Sequence, residues 1–315
     1  MKGLNRKDAI KKTVRRKFHS GHFADAPCAA LVDVLRFVSS ANPVPALRKN
    51  HNFRCISTRL VTSVPGQFLA YRRVHWFKHV SSDMKVCVES ERQGGWLAKY
   101  RLSLYADDRT GLSGAVVLNI LRIIPPVRLV YCEFALDFSI LSGIDRTTVL
   151  RRTVYGKSQR DLTSTNPMGD WWGARRGAKR VVSYTKDAVW AHRVEFKLRK
   201  RFLRGNGIQT LFDLVKLAKI LPRRHILFGK LADSLLEKRL RRQGYSTEQV
   251  AAAFDQIKKH ETDLSRTLRY LRRSLGLANT RRLLTPTKAN RFVRDAMAQF
   301  VRSWPKALRP CGGKP

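Results

Sequence analysis

The chain has 315 residues, 63 of them Lys or Arg and 23 Asp or Glu, for a formal charge of +40. Such an imbalance makes a polyanion the expected partner, nucleic acid first, and an apolar content of 43% supplies a core and excludes a disordered basic tail. No apolar run reaches the ~18 residues of a membrane span, the positive charge is spread rather than gathered on one anchor helix, and five cysteines without a Cys-x-x-Cys argue against a disulfide framework or zinc ribbon and for a reducing, cytoplasmic setting.

In chain order, residues 1–45 read as a basic arm followed by a short helix. Eight of the first 17 residues are Lys or Arg. The helix is expected from Ala24 to Ser40, with Leu31, Val34, Leu35 and Val38 on one face. The run Ala41-Asn42-Pro43-Val44-Pro45 ends it.

Residues 46–205 read as one domain dominated by strands. Strand patterns cover Ile56 to Thr62, Phe68 to Trp76, Lys85 to Glu89 and Trp96 to Tyr105, with Gly94-Gly95 as a hairpin turn. A helix from Gly114 to Ile123 is stopped by Pro125-Pro126. Val127 to Ser139 is a long strand, Ile144 to Tyr155 a helix, and Lys157 to Asp170 a polar loop. Three short strands follow: Trp171 to Arg175, Lys179 to Lys186 and Trp190 to Arg199.

Residues 206–315 read as a helical basic region for DNA binding or oligomer contact. Helices are expected from Ile208 to Leu221 and from Arg224 to Gln243. Ser246 with Gln249 is a capping-box signature that starts a long helix to about Leu275. The predicted class is α+β: a mainly antiparallel sheet with helices packed on one side, then an all-helical C-terminal region.

Against the basic background, three acids stand out. Side chains alternate across a strand, so Cys132, Phe134, Leu136 and Phe138 form a core face, and Glu133, Ala135, Asp137 and Ser139 form the other. Two like charges on one face need a cation between them, from Arg, Lys or a metal. Around Glu195 the division is the same: His192, Val194, Phe196 and Leu198 point one way, and Arg193, Glu195, Lys197 and Arg199 the other. Glu133, Asp137 and Glu195 are thus candidate oxygen ligands for Mg²⁺ or Mn²⁺; an exposed ion-pair ladder accounts for the same pattern. Tyr184 follows a cationic turn, Arg175-Arg176-Gly177-Ala178-Lys179-Arg180, in which glycine lets a phosphate backbone approach. A tyrosine attacks a phosphodiester only if something favours its phenolate. Lys186, a metal or a turn arginine is expected to do so.

The stretch from Trp172 to Lys186, then His192-Arg193-Val194-Glu195-Phe196-Lys197-Leu198-Arg199, resembles the core of the replication initiation factors of small plasmids and phages, of the type lacking a His-hydrophobic-His motif. The family pattern is a Gly-Ser-Arg turn, a strand with Tyr-x-Lys, a strand with Arg-x-Glu-x-x-x-Arg, and upstream two acids four apart. Here Ala174 stands at the usual Ser, and Glu133 at the more usual Asp. The resemblance implies rolling-circle initiation. Tyr184, with Lys186 beside it, would nick origin DNA to give a 5′-phosphotyrosine and a free 3′-OH, near a metal on Glu133, Asp137 and Glu195. Arg175, Arg176, Lys179, Arg180, Arg193, Lys197 and Arg199 would hold DNA, as single strand and origin duplex. Trp171, Trp172 or Trp190 would stack on bases, and a host helicase and a second copy of the chain are further expected partners. The competing expectation is a non-enzymatic nucleic-acid-binding protein, such as a transcriptional regulator.

Overall fold

The fold is known from a computed structural model that describes residues 26–61, 70–93, 95, 98–106, 110–139, 142–155, 162–166, 169–173, 177–186, 191–222, 226–259 and 264–305. It is α+β. Ten strands pair antiparallel: β1 (Cys28–Ser39), β2 (Phe53–Leu60), β3 (Tyr71–His79), β4 (Lys85–Arg92), β5 (Tyr100–Tyr105), β6 (Arg128–Ser139), β8 (Leu162–Asn166), β9 (Gly169–Trp172), β10 (Lys179–Lys186) and β11 (Ala191–Arg199). β7 (Thr153–Tyr155) lies outside this sheet, whose order is β2-β3-β4-β5-β1-β6-β11-β10-β9-β8. The order reads as two similar halves. Each begins with a 12-residue strand, β1 or β6, and ends with a strand, β5 or β11, that returns beside it. The two long strands pair at the centre.

One face of the sheet is the core. Phe134, Leu136, Phe138, Val194 and Phe196 are fully buried there. The helix Lys288–Ser303 packs on this face, with the Phe300 ring edge-on to Phe134 at 5.1 Å. The helix Gly114–Ile123 adds Val117 and Ile120 to the same core. It starts where expected, and the Ser113 side chain accepts a hydrogen bond from the Val116 amide.

The expected helix from Ala24 to Ser40 is instead the central strand β1. A bulge lies between Val32 and Val34, where the register to β6 shifts by one. An inserted residue changes the parity of a strand. The apolar positions on either side of Asp33 then fall at gaps of three and four and mimic a helical face. The boundary at residue 45 goes with that helix, because β1 pairs with both β5 and β6.

The C-terminal region is not all-helical. Residues expected to start a helix at Arg224 contain β12 (Ile226–Leu231), which pairs with β7 and with β13 (Leu284–Pro286). The expected helix from Ile144 stops at Arg152, where β7 begins. The expected long helix is two, Thr247–Lys259 and Leu264–Arg273. Its capping box is present: the Ser246 amide donates to Gln249 Oε1 at 2.8 Å, and the Gln249 amide donates to Ser246 Oγ at 3.2 Å. These helices and Asp233–Arg242 close a second, smaller core of Leu236, Leu240, Val250, Ile257, Leu268 and Leu271. Gly244, at φ +86°, makes the turn between Asp233–Arg242 and Thr247–Lys259.

Candidate active site

The face of the sheet opposite the core carries the acids and the tyrosine. Register explains why. Tyr184 stands opposite Arg193, and Arg193 opposite Asp137. One row along, Val182 stands opposite Glu195, and Glu195 opposite Ala135; in the next, Arg180, Lys197 and Glu133 align. Small Ala135 leaves room for Glu195 between the two acids of β6.

Four residues along a strand span ~13 Å, so one cation cannot bridge Glu133 and Asp137. Two cations divide the acids between them. Arg193 grips Asp137 with a fork, Nε to Oδ1 and Nη2 to Oδ2, both at 2.6 Å. Its remaining nitrogen, Nη1, donates to Asp33 Oδ2 from the β1 bulge. Arg193 is 1% exposed and Asp137 is fully buried. Burial pulls the Arg193 guanidinium down to about 10, and the Glu195 carboxylate opposes the shift; it stays charged at neutral pH. Lys197 Nζ lies 3.1 Å from Glu133 Oε1 and 2.8 Å from Glu195 Oε1. Burial lowers the Lys197 pKa, but the two carboxylates more than offset it, so the net shift is upward.

Tyr184, half-buried, donates its hydroxyl to Glu195 Oε2 at 2.9 Å. Burial pushes its pKa well above the ordinary phenol value, and the Glu195 carboxylate pushes it further. This corrects the expected cation beside the tyrosine: a carboxylate touches the hydroxyl. Lys186 shares the strand face but, among the described residues, makes no hydrogen bond or ion pair with Tyr184. The arrangement suits removal of the phenolic proton by Glu195 as a base.

Gly169 on β9 makes space for the tyrosine. It sits at φ +152°, and a Cβ there would lie 2.9 Å from the Ser183 carbonyl oxygen and 3.2 Å from Tyr184 Cβ. Gly169 and Asp33 do not stand out in the sequence, and Tyr131 stands out only as a replacement for the Arg that the family pattern has before the first acid. Tyr131 donates its hydroxyl to Glu133 Oε1, under the Arg36 guanidinium at 4.6 Å from its ring. An acid in a β1 strand facing β6 was the available signal for Asp33; the mistaken helix hid it.

The expected DNA contacts divide. Arg193 is a buried strut and does not reach a ligand. Lys197 is committed to two carboxylates. Lys179 is buried on the core side of β10. Arg180 lies over the Trp171 ring at 4.0 Å, a cation stacked on an aromatic face. Arg199 is exposed at the end of β11. Arg175, Arg176 and Trp190 lie outside the described residues, and Trp172 belongs to the core.

Glu133, Asp137 and Glu195 do not gather at one point. Among the described residues no group of three or more His, Cys, Asp or Glu is placed to hold a metal ion. Both oxygens of Asp137 are taken by Arg193. Glu133 and Glu195 remain a pair around one cation, the Lys197 ammonium. Mg²⁺ is commonly held by one or two carboxylates together with substrate phosphates, and Glu133 and Glu195 are two carboxylates that share one cation position, taken here by Lys197. On this face four carboxylates, Asp33, Glu133, Asp137 and Glu195, stand against four cations, Arg36, Arg180, Arg193 and Lys197, so the formal charges of the cluster balance.

No protein-family model matches the chain, and no curated protein matches it in sequence. Among the described residues no helix is long and apolar enough to cross a membrane.

Proposed function

We propose that this protein initiates rolling-circle DNA replication by nicking origin DNA through Tyr184. The observation that carries the reading is the 2.9 Å hydrogen bond from Tyr184 to Glu195 on a polar sheet face. Tyr184 Oη attacks the phosphorus of a phosphodiester as its proton passes to Glu195 Oε2. The bond to the 3′ oxygen breaks. The products are a 5′-phosphotyrosine and, after the leaving oxygen takes a proton from solvent, a free 3′-OH that primes synthesis. Because the phosphodiester energy stays in the tyrosyl link, rejoining needs no ATP. Lys197 holds Glu195 against the tyrosine in the resting state. Mg²⁺ or Mn²⁺ at Glu133 and Glu195 would neutralise charge on the phosphate. Arg180, Arg199 and Lys186 border the face and suit a phosphate backbone, and Trp171 suits stacking on an unpaired base. The basic helices after residue 233 would hold the duplex.

The test is a denaturing gel with end-labelled single-stranded origin DNA and Mg²⁺ or Mn²⁺. Wild type is expected to form a covalent adduct, and Tyr184→Phe to bind DNA without forming one. An adduct that survives in Tyr184→Phe rejects Tyr184 as the nucleophile.

A second reading is a non-enzymatic nucleic-acid-binding protein. The same hydrogen bond favours it, since a phenol held far from ionisation and donating to a carboxylate also makes a stable sheet contact. It predicts no adduct with any metal.

A further inference from the structure

On the other half of the sheet, and on its core side, lies a cleft of about 960 Å³. Its floor is β3, β4 and β5. His75 pairs with Val88, Val88 with Leu102, and Leu102 with Phe37, so His75 shares the face of the core aromatics and not that of Tyr184. The short helix Val44–Lys49 forms one wall. This helix is too short to cover the half-sheet, which leaves the space open.

The lining is unlike a leftover void. Arg48, Lys49, Arg73, Arg92 and Lys99 line it, against a single acid, Glu91. Among the described residues no carboxylate pairs with Arg48, Lys49 or Lys99. Glu91 has φ +58°, a left-handed conformation that residues other than Gly and Asn seldom adopt. Strain of this kind collects at binding sites. The strained residue sets Glu91 Oε1 2.5 Å from Arg73 Nε as a charge contact. Yet Arg73 Nε, shielded from water, makes no hydrogen bond, so the contact is off the line a hydrogen bond requires. Both side chains are more than two-fifths exposed, which makes this a weak pair. A phosphate, with more charge and oxygens that match a guanidinium fork, outcompetes such a carboxylate. Also on the lining, the hydroxyl of the exposed Thr58 lies 3.0 Å from Nδ1 of the buried His75. The Tyr100 ring, with the Lys99 ammonium 5.8 Å from its centre, offers a stacking surface.

We propose that this cleft binds the phosphate of a nucleotide, with Arg73 and Arg48 as its contacts, Tyr100 against the base, and Glu91 as the resident anion that the phosphate displaces. The ligand is either a free nucleoside monophosphate or one nucleotide of a single strand; both present the same phosphate and ring. The site is separate from Tyr184, on the reverse face of the sheet, and stands or falls without the nicking reading.

The test is calorimetric titration of the full chain with dTMP and with (dT)3 at about 0.15 M salt, where screening limits diffuse attraction. Four proteins are compared: wild type, Arg48→Glu with Lys49→Glu, Glu91→Gln, and Tyr184→Phe. The double variant changes two exposed residues and keeps the fold, which its melting curve checks. It is expected to lose at least tenfold in affinity. Glu91→Gln is expected to gain several-fold, an effect that general loss of folding cannot mimic. Tyr184→Phe is expected to match wild type, so a protein that forms no DNA adduct can still pass. A tenfold preference for (dT)3 identifies a strand as the ligand, and equal affinities a mononucleotide. Unchanged affinity in the double variant, or weaker binding in Glu91→Gln, overturns the proposal.

Discussion

Tyr184 and Glu195 are joined by a hydrogen bond across neighbouring strands, the phenol donating to Oε2 at 2.9 Å. If Glu195 receives the proton during attack, Glu195→Gln keeps the shape but removes the base. General-base removal costs roughly 10²–10⁴-fold. Adduct formation by Glu195→Gln should therefore slow by at least ~10²-fold while DNA affinity holds. Single-turnover rates on labelled single strands measure this. A rate within twofold of wild type would mean that the proton leaves by another route.

Arg193 faces a different fate from that expected of a DNA-binding residue. It is enclosed between Asp33 and Asp137. Removing one partner from a buried pair leaves unpaired charge and costs about 3–5 kcal/mol. Arg193→Met is thus expected to lose about that much stability in urea unfolding. An unfolding curve that overlays wild type, with reduced DNA binding, would restore Arg193 to the interface.

Much of this site is legible in the sequence. Alternation put Phe134 and Phe138 inside and Glu133 and Asp137 on the other face. The same rule placed Glu195 beside them, but the single cation expected between Glu133 and Asp137 is two: Lys197 serves Glu133 and Glu195, and Arg193 serves Asp137. The sequence could not say which cation pairs with which acid, because that depends on how β6 and β11 are aligned. Nor could it show that Arg193 is buried, since a strand of alternating cations and acids looks solvated. The bulge at Asp33 concealed β1, and with it the centre of the sheet. The likeness between the sheet halves lies in strand order, which leaves no trace in residue identity.

Lys197 bridges Glu133 and Glu195, which lie 3.1 and 2.8 Å from its ammonium. In Lys197→Ala the two carboxylates confront each other with no cation. A divalent ion should then bind in its place. Mn²⁺ is expected to raise the melting temperature of Lys197→Ala by several degrees more than that of wild type, through binding to the folded state alone. Equal shifts in the two proteins would remove Glu133 and Glu195 as a metal site.

His192 accounts for a pH dependence of stability. It is buried, with Nε2 2.6 Å from the Ser183 hydroxyl, and burial brings its pKa down to about 4 from the ordinary 6.5, against the pull of Asp145 and Asp170. Between those values the unfolded chain binds a proton that the folded chain refuses. Stability is therefore full above pH 6.5 and falls as pH drops towards 4, by at most about 3 kcal/mol from this group. Urea midpoints at pH 7 and pH 5 should differ, and His192→Asn should flatten the difference. His75 and His79, also lowered by burial, add to the slope in the same direction. A slope identical in wild type and His192→Asn would assign the effect elsewhere.

The helix Leu264–Arg273 is the strongest candidate for the duplex-binding surface that the proposed function requires. It buries Leu264, Leu268 and Leu271 in the small C-terminal core. Arg266, Arg269 and Arg273 fall at helical spacings of three and four on another side, where Arg266 and Arg273 are exposed. Arg269 is pulled down by partial burial and by the crowding of Arg273 and Arg272, a concentration of charge that a phosphate backbone relieves. Removing one arginine that neutralises a phosphate lowers the slope of log affinity against log salt by about one. Arg266→Gln with Arg273→Gln should therefore bind origin duplex with a slope shallower by about two. Adduct formation on a short single strand should stay at the wild-type rate, because Tyr184 and Glu195 are untouched. Fluorescence anisotropy over a salt series reads the slope. If it does not change, the duplex lies on another surface, and the exposed arginines of this helix are only a solvated face.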